Sequence, residues 1–104
     1  MTYANLLQTL ESVTSEVYEI AAPKGAARYI AVNVYGARTV DGDDSSFVTF
    51  KKVQLDILCQ SPSDTLTEDV FAALSYYGFS FTVEDEGYDP DYALMRCIVH
   101  LEVL

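Results

Sequence analysis

The chain is poor in cations, in sulfur and in histidine, and each shortage excludes a class of chemistry. It has 6 Lys and Arg residues against 16 Asp and Glu, for a formal net charge of -10 over 104 residues. Phosphate backbones are normally gripped by clustered Lys and Arg, so direct nucleic-acid binding is disfavoured, as is docking on an anionic membrane. The two cysteines, Cys59 and Cys97, lie in separate apolar runs with no C-x-x-C spacing and no histidine nearby. Buried free thiols are the plainer reading. A disulfide between neighbouring strands stays open if their Cα atoms approach closely enough. A zinc site needs about four N or S ligands, and two separated cysteines with the lone His100 do not readily supply them.

Other absences narrow the reading further. There is no phosphate-binding glycine motif of the G-x-x-x-x-G-K-[ST] or G-x-G-x-x-G kind, so nucleotide binding lacks support. No nucleophile elbow or protease signature accompanies His100, which reads as a solvent-side or interface residue. No apolar run approaches the ~18 residues of a membrane-spanning helix, and no basic stretch leads into an apolar signal segment. The expected location on these grounds is a reducing cytoplasm.

What is present is a well-patterned α+β domain. Half of the residues are apolar, so intrinsic disorder is not expected. The length fits a single domain over 1–104 that can bury its own core. Residues 2–13 carry Leu6, Leu7, Leu10 and Val13 at helical spacing behind Thr2, a good N-cap. A short strand is expected at 16–20, then a Pro- and Gly-bearing loop at 21–26. Residues 28–35 alternate Ile30, Val32 and Val34 against Tyr29, Ala31, Asn33 and Tyr35, which predicts a strand. Residues 47–59 alternate Val53, Leu55, Ile57 and Cys59 against Lys52, Gln54, Asp56 and Leu58, and predict a longer one. The two strands suggest a hairpin with an extended tip.

The segment 61–78 is the clearest helix, with Leu66, Val70, Ala73, Leu74 and Tyr77 on one face. Thr65 and Glu68 fit a capping box, and Gly78 sits where a helix exit takes positive φ. A strand at 79–84, a turn at 85–91 and a last strand at 92–104 complete the order α-β-β-β-α-β-β. Mostly antiparallel pairing is expected, with both helices on one face of the sheet. The other face is left partly apolar by Tyr29, Tyr35, Leu58, Ile98 and Leu104, which points to a protein partner.

The acidic clusters are the remaining candidates for chemistry. In 41-DGDDSS-46 the glycine comes second, whereas a calcium loop places it sixth and closes on a glutamate at its twelfth position. Asp41, Asp43, Asp44, Ser45 and Ser46 therefore read as a solvated hairpin tip. The acids of 84-EDEGYDPDY-92 read as a second turn, since paired catalytic carboxylates need a cleft and a raised pKa. The chain holds eight tyrosines. Tyrosine is enriched at interfaces, although half-buried edges of an ordinary core account for many of them. Tyr29, Tyr35, Tyr88 and Tyr92 are the candidate interface aromatics. No cofactor or metal is assigned. An acidic adaptor or DNA-mimic module is one reading of such a chain, and a small metal-dependent enzyme is another.

Taken together, the pieces resemble a family of proteins from tailed bacteriophages, the tail terminators or tail-completion proteins. The resemblance spans nearly the whole chain. It rests on the opening helix 4-ANLLQTL-10, the strand 17-VYEI-20, Pro23 with 29-YIAV-32, and 53-VQLDILCQSPSD-64. The helix exit 74-LSYYGFSF-81 and the finish through Tyr88, Tyr92 and 98-IVHLEVL-104 complete it. The resemblance implies a non-enzymatic virion protein forming a ring, commonly hexameric, that stops tail-tube polymerisation and meets the head connector. It implies partners in the tail-tube and head–tail connector proteins, assembly in the bacterial host cytoplasm, and a place in the phage neck. It would send the Asp41–Ser46 loop toward the lumen or a neighbouring subunit.

Overall fold

The computed structural model describes residues 1–41 and 47–104. The elements are α1 (Tyr3–Glu11), β1 (Val17–Glu19), β2 (Tyr29–Asp41), β3 (Phe47–Cys59), α2 (Leu66–Tyr76), β4 (Phe81–Asp89) and β5 (Leu94–Val103). The five strands form one sheet in the order β1-β2-β3-β5-β4. The α+β class, the element order and the mostly antiparallel sheet agree with the sequence pattern.

Both helices cover one face. Leu6 and Leu10 of α1 and Leu66, Val70 and Leu74 of α2 pack on Ile30, Val32, Val53, Leu55, Ile57, Cys97, Val99, Leu101 and Val103. Full burial of one such side chain is worth about 1.5–3 kcal/mol. The period-2 alternation of β3 and β5 thus sets which face is dry. Leu55 pairs with Val99 on β5 and Val32 on β2, in the centre of the sheet.

Caps account for the helix ends. Thr2 accepts from the Asn5 N–H, and the Asn5 side chain accepts from the Thr2 N–H in return. At the far end of α2, Gly78 has φ +83. Its N–H donates to the Ser75 carbonyl at 3.1 Å and that of Phe79 to the Leu74 carbonyl at 2.9 Å, the paired bonds of a Schellman exit. The expected Thr65–Glu68 capping box is not used. The Leu66 N–H donates instead to Asp64 Oδ1 at 2.9 Å, while Thr65 Oγ1 donates to Asp69 Oδ2 at 3.1 Å. Arg28 fixes Asp64 in place through Nε, 2.9 Å from Oδ2.

Three details differ from or go beyond the sequence reading. The one parallel pair is β1 with β2, because Ile20–Arg28 crosses over rather than turning back. β2 continues to Asp41 through a bulge at Val34–Gly36. β4 extends through the acidic stretch to Asp89, so the turn shrinks to Pro90–Ala93. The chain ends are joined in the same layer: the Leu104 N–H donates to the Met1 carbonyl at 2.8 Å and the Tyr3 N–H to the Leu104 carbonyl at 2.9 Å.

Candidate functional site

Two features stand outside the core: a hairpin arm and the sheet face opposite the helices. β5 reaches no farther along β3 than Lys51, which pairs with Val103. Beyond that point, among the described residues, Arg38–Asp41 and Phe47–Phe50 pair as strands with each other and with no third strand. On the other side, β1 covers no more of β2 than Ile30–Val32. Thirteen-residue strands span about 43 Å at the usual rise, which accounts for the long dimension of a molecule measuring 50 × 27 × 22 Å.

The arm is apolar as well as unsupported. Val40, Val48 and Phe47 are exposed, Phe47 by 66%. An isolated two-stranded ribbon is marginal in water and gains stability by packing on something else. Three of the six cations sit at its base: Arg38, Lys51 and Lys52. Arg38 Nε lies 2.8 Å from Glu102, whose carboxyl it holds below the usual range, and its guanidinium covers the Phe50 ring. Lys51 lies over the Tyr3 ring at 5.4 Å. The Tyr3 phenol is pushed up to about 12 by burial and by its bond to Glu19.

The open face is bound by a chain of side chains. Arg96 bridges Asp89 at 2.9 Å and Asp56 at 3.0 Å. Gln54 Nε2 donates to Asp56 Oδ1 at 3.0 Å. That fixes Gln54 Oε1 as the acceptor toward His100 Nε2 at 3.2 Å, and His100 Nδ1 lies 3.3 Å from Glu84. Arg96 holds the Asp89 carboxyl below its ordinary range. Six polar side chains from three strands are thereby linked across the sheet, while Arg96 Nε is buried with no partner among the described residues. An open groove of about 620 Å³ lies beside them, between Tyr35 at the β2 bulge and Phe50 of the arm on one side and Phe79–Thr82, leading into β4, on the other.

The sequence-derived candidates are scattered. Asp41 is exposed at the end of β2; Asp43, Asp44, Ser45 and Ser46 lie outside the described residues. Tyr29 is 6% exposed, in a small second cluster with Leu58 and Leu94, under Tyr18 and the alanines of the crossover. Tyr35 stands on the open face at the bulge, 5.3 Å from the His100 ring. Tyr88 is exposed on β4, on the helix side, and Tyr92 carries the Arg96 guanidinium over its ring at 5.0 Å. These four tyrosines do not form one patch. The arm residues Arg38, Val40, Phe47, Val48 and Lys51 are not singled out by the sequence. Their signal is the run 47-FVTF-50, which continues an apolar strand past the length a third strand can match.

Both cysteines are buried free thiols on the helix side, two residues out of register across β3 and β5. Burial pushes the Cys97 thiol up to about 11. Among the described residues no three His, Cys, Asp or Glu side chains are grouped to hold a metal ion, and no helix is long and apolar enough to cross a membrane.

The fold as a whole has a counterpart of known structure. It is similar to a chain of the virion of a native gene transfer agent particle, with a TM-score of 0.54 and 13% identity, covering 94% of this chain and 90% of that one. Neither a protein-family model nor a curated protein sequence matches the chain. At that identity the likeness concerns the fold.

Proposed function

We propose that this protein is a non-enzymatic structural component of a phage-like particle, assembling as a ring that caps the tail tube and joins it to the head. The observation that carries the reading is the whole-chain fold it shares with a component of a gene transfer agent virion. Two properties of the molecule fit. Past Arg38 and Phe50, which contact the body of the domain, the described arm residues form a ribbon with no third strand beside it, as expected of an element completed by assembly. The net charge of -10 suits the wall of a channel through which DNA must pass without adhering.

Ring contacts of this sort are head-to-tail and close by rotation. Light scattering of the purified protein at high concentration, with negative-stain imaging alone and after mixing with tail-tube polymers, tests the reading. Rings in solution or at tube ends are expected. A strict monomer that also ignores the tube overturns it.

A further inference from the structure

Two long unpaired edge stretches of the sheet lie on opposite sides and match in length; one is acidic, and the other is backed by two lysines of the neighbouring strand. One is β4, exposed along most of Phe81–Asp89 and carrying Glu84, Asp85 and Glu86 at its centre. The other is β2 from Asn33 to Asp41, past the end of β1, flanked at its centre by Arg38, Lys51 and Lys52. Each stretch is nine residues long. Lys51 and Lys52 make no salt bridge among the described residues.

From these edges we infer that β4 of one copy adds to the free stretch of β2 on the next, so that the sheet runs on from subunit to subunit. The inference rests on the ring reading for the closure of the assembly. Strand directions permit it. β2 is antiparallel to β3, β3 to β5 and β5 to β4. β4 therefore runs opposite to β2, and an edge-to-edge continuation with the helices kept on one side is antiparallel. Faces then choose the register. Arg38 pairs with Phe50 and Asp85 with Ile98, both on the open face; Ala37 pairs with Lys51 and Glu86 with Cys97, both on the helix side. Arg38 opposite Asp85 and Ala37 opposite Glu86 satisfy both pairs at once. The three acids of β4 then lie against the cationic base of the arm.

The acids also explain selectivity. Charged residues on an edge strand block indiscriminate pairing. Here two acidic edges repel each other, whereas a cationic edge is accepted. The added strand supplies main-chain hydrogen bonds, and the side chains set the partner.

The test is a disulfide pair, Arg38→Cys with Asp85→Cys, in the full chain. Within one molecule these positions lie on opposite edges of the sheet and cannot meet. Cys59 and Cys97 are buried and stay out of the reaction. Mild oxidation of the double variant should give a ladder of covalent multimers on a non-reducing gel. A mixture of the two single variants should give dimers and nothing longer. Either single variant forming as much dimer alone as in the mixture indicates like-with-like pairing and overturns the inference. So does the absence of a ladder under conditions where the wild-type chain forms rings, and that result leaves the ring reading standing. A ladder without rings in the micrographs keeps the edge pairing and removes the ring. A second measurement guards against a folding defect: Lys51→Glu with Lys52→Glu should keep the far-UV spectrum and lose assembly, and adding Glu84→Lys with Glu86→Lys should restore it. Loss without restoration counts against the pairing.

Discussion

Replacing Asp64 by alanine removes the two jobs its carboxylate holds at the start of α2. Oδ1 accepts from the Leu66 N–H at 2.9 Å, and the pair Oδ1/Oδ2 takes the Arg28 guanidinium at 3.2 and 2.9 Å. Loss of a helix cap costs about 0.5–2 kcal/mol. The Arg28 pair is partly exposed, so it adds no more than about 1 kcal/mol. The expected loss is therefore about 0.5–3 kcal/mol, and a domain of this size loses roughly 4–8 °C of Tm per kcal/mol. Thr65→Ala is the control. Its hydroxyl bonds to Asp69 and caps no backbone group, so its Tm should move by about 2 °C at most. The pH dependence has a definite sign. Arg28 holds the Asp64 carboxyl below its ordinary value. The Asp64 contribution is complete above the unfolded carboxylate pKa and is lost as pH falls through the lowered folded one. Thermal melts followed by circular dichroism from pH 7 down through the acid range should show wild type and Asp64→Ala converging at the acid end. Equal losses for Asp64→Ala and Thr65→Ala, or a difference that does not shrink in acid, refute the assignment of the cap to Asp64.

Arg96→Met leaves Asp56 and Asp89 without their shared cation, and should lower the urea midpoint by the equivalent of about 1–3 kcal/mol. Arg96→Lys, which offers a point charge where a planar fork spans two carboxylates, should recover only part of it. The thiols of Cys59 and Cys97 should ignore Ellman's reagent at pH 7 in the native protein and both react in guanidinium, since both are buried and burial raises the pKa of each; one equivalent of rapid native reaction contradicts their placement in the core.

Periodicity carries most of the fold. Leu6 and Leu10, Leu66, Val70 and Leu74 of the α2 stripe, and the alternation of β3 and β5 each name the face they bury, although Tyr77 of that stripe is half exposed; the Thr2 and Gly78 ends follow from local backbone chemistry. What escapes detection depends on residues distant in sequence. Asp64 outcompetes Thr65 as the helix cap because Arg28, from the far side of the crossover, pins its carboxylate. The stretch 84–89 looks like a turn because an edge strand keeps one long flank in water, and acids are tolerated there. Alternation places Tyr29 on the correct face of β2. The small residues Ala22, Ala26 and Ala27 let the crossover pack down over that end, so the ring is covered by its own chain. The arm is half visible: both strands are expected, but where β5 stops along β3 is a matter of tertiary register. The cations at its base are dispersed in sequence and acquire a common address only once β2 and β3 are paired.

The clasp between Met1 and Leu104 gives the molecule a topological property unconnected to any partner. Because residues 1 and 104 are hydrogen-bonded neighbours, the described path is very nearly a closed circle, and the order in which its elements are threaded is almost a convention. A short peptide joining the two ends would complete the circle at little strain. The unfolded chain would then have fewer conformations to lose, since the cost of bringing distant ends together is already met by a covalent link. The same adjacency means that anything fused to either end emerges from one spot beside the groove.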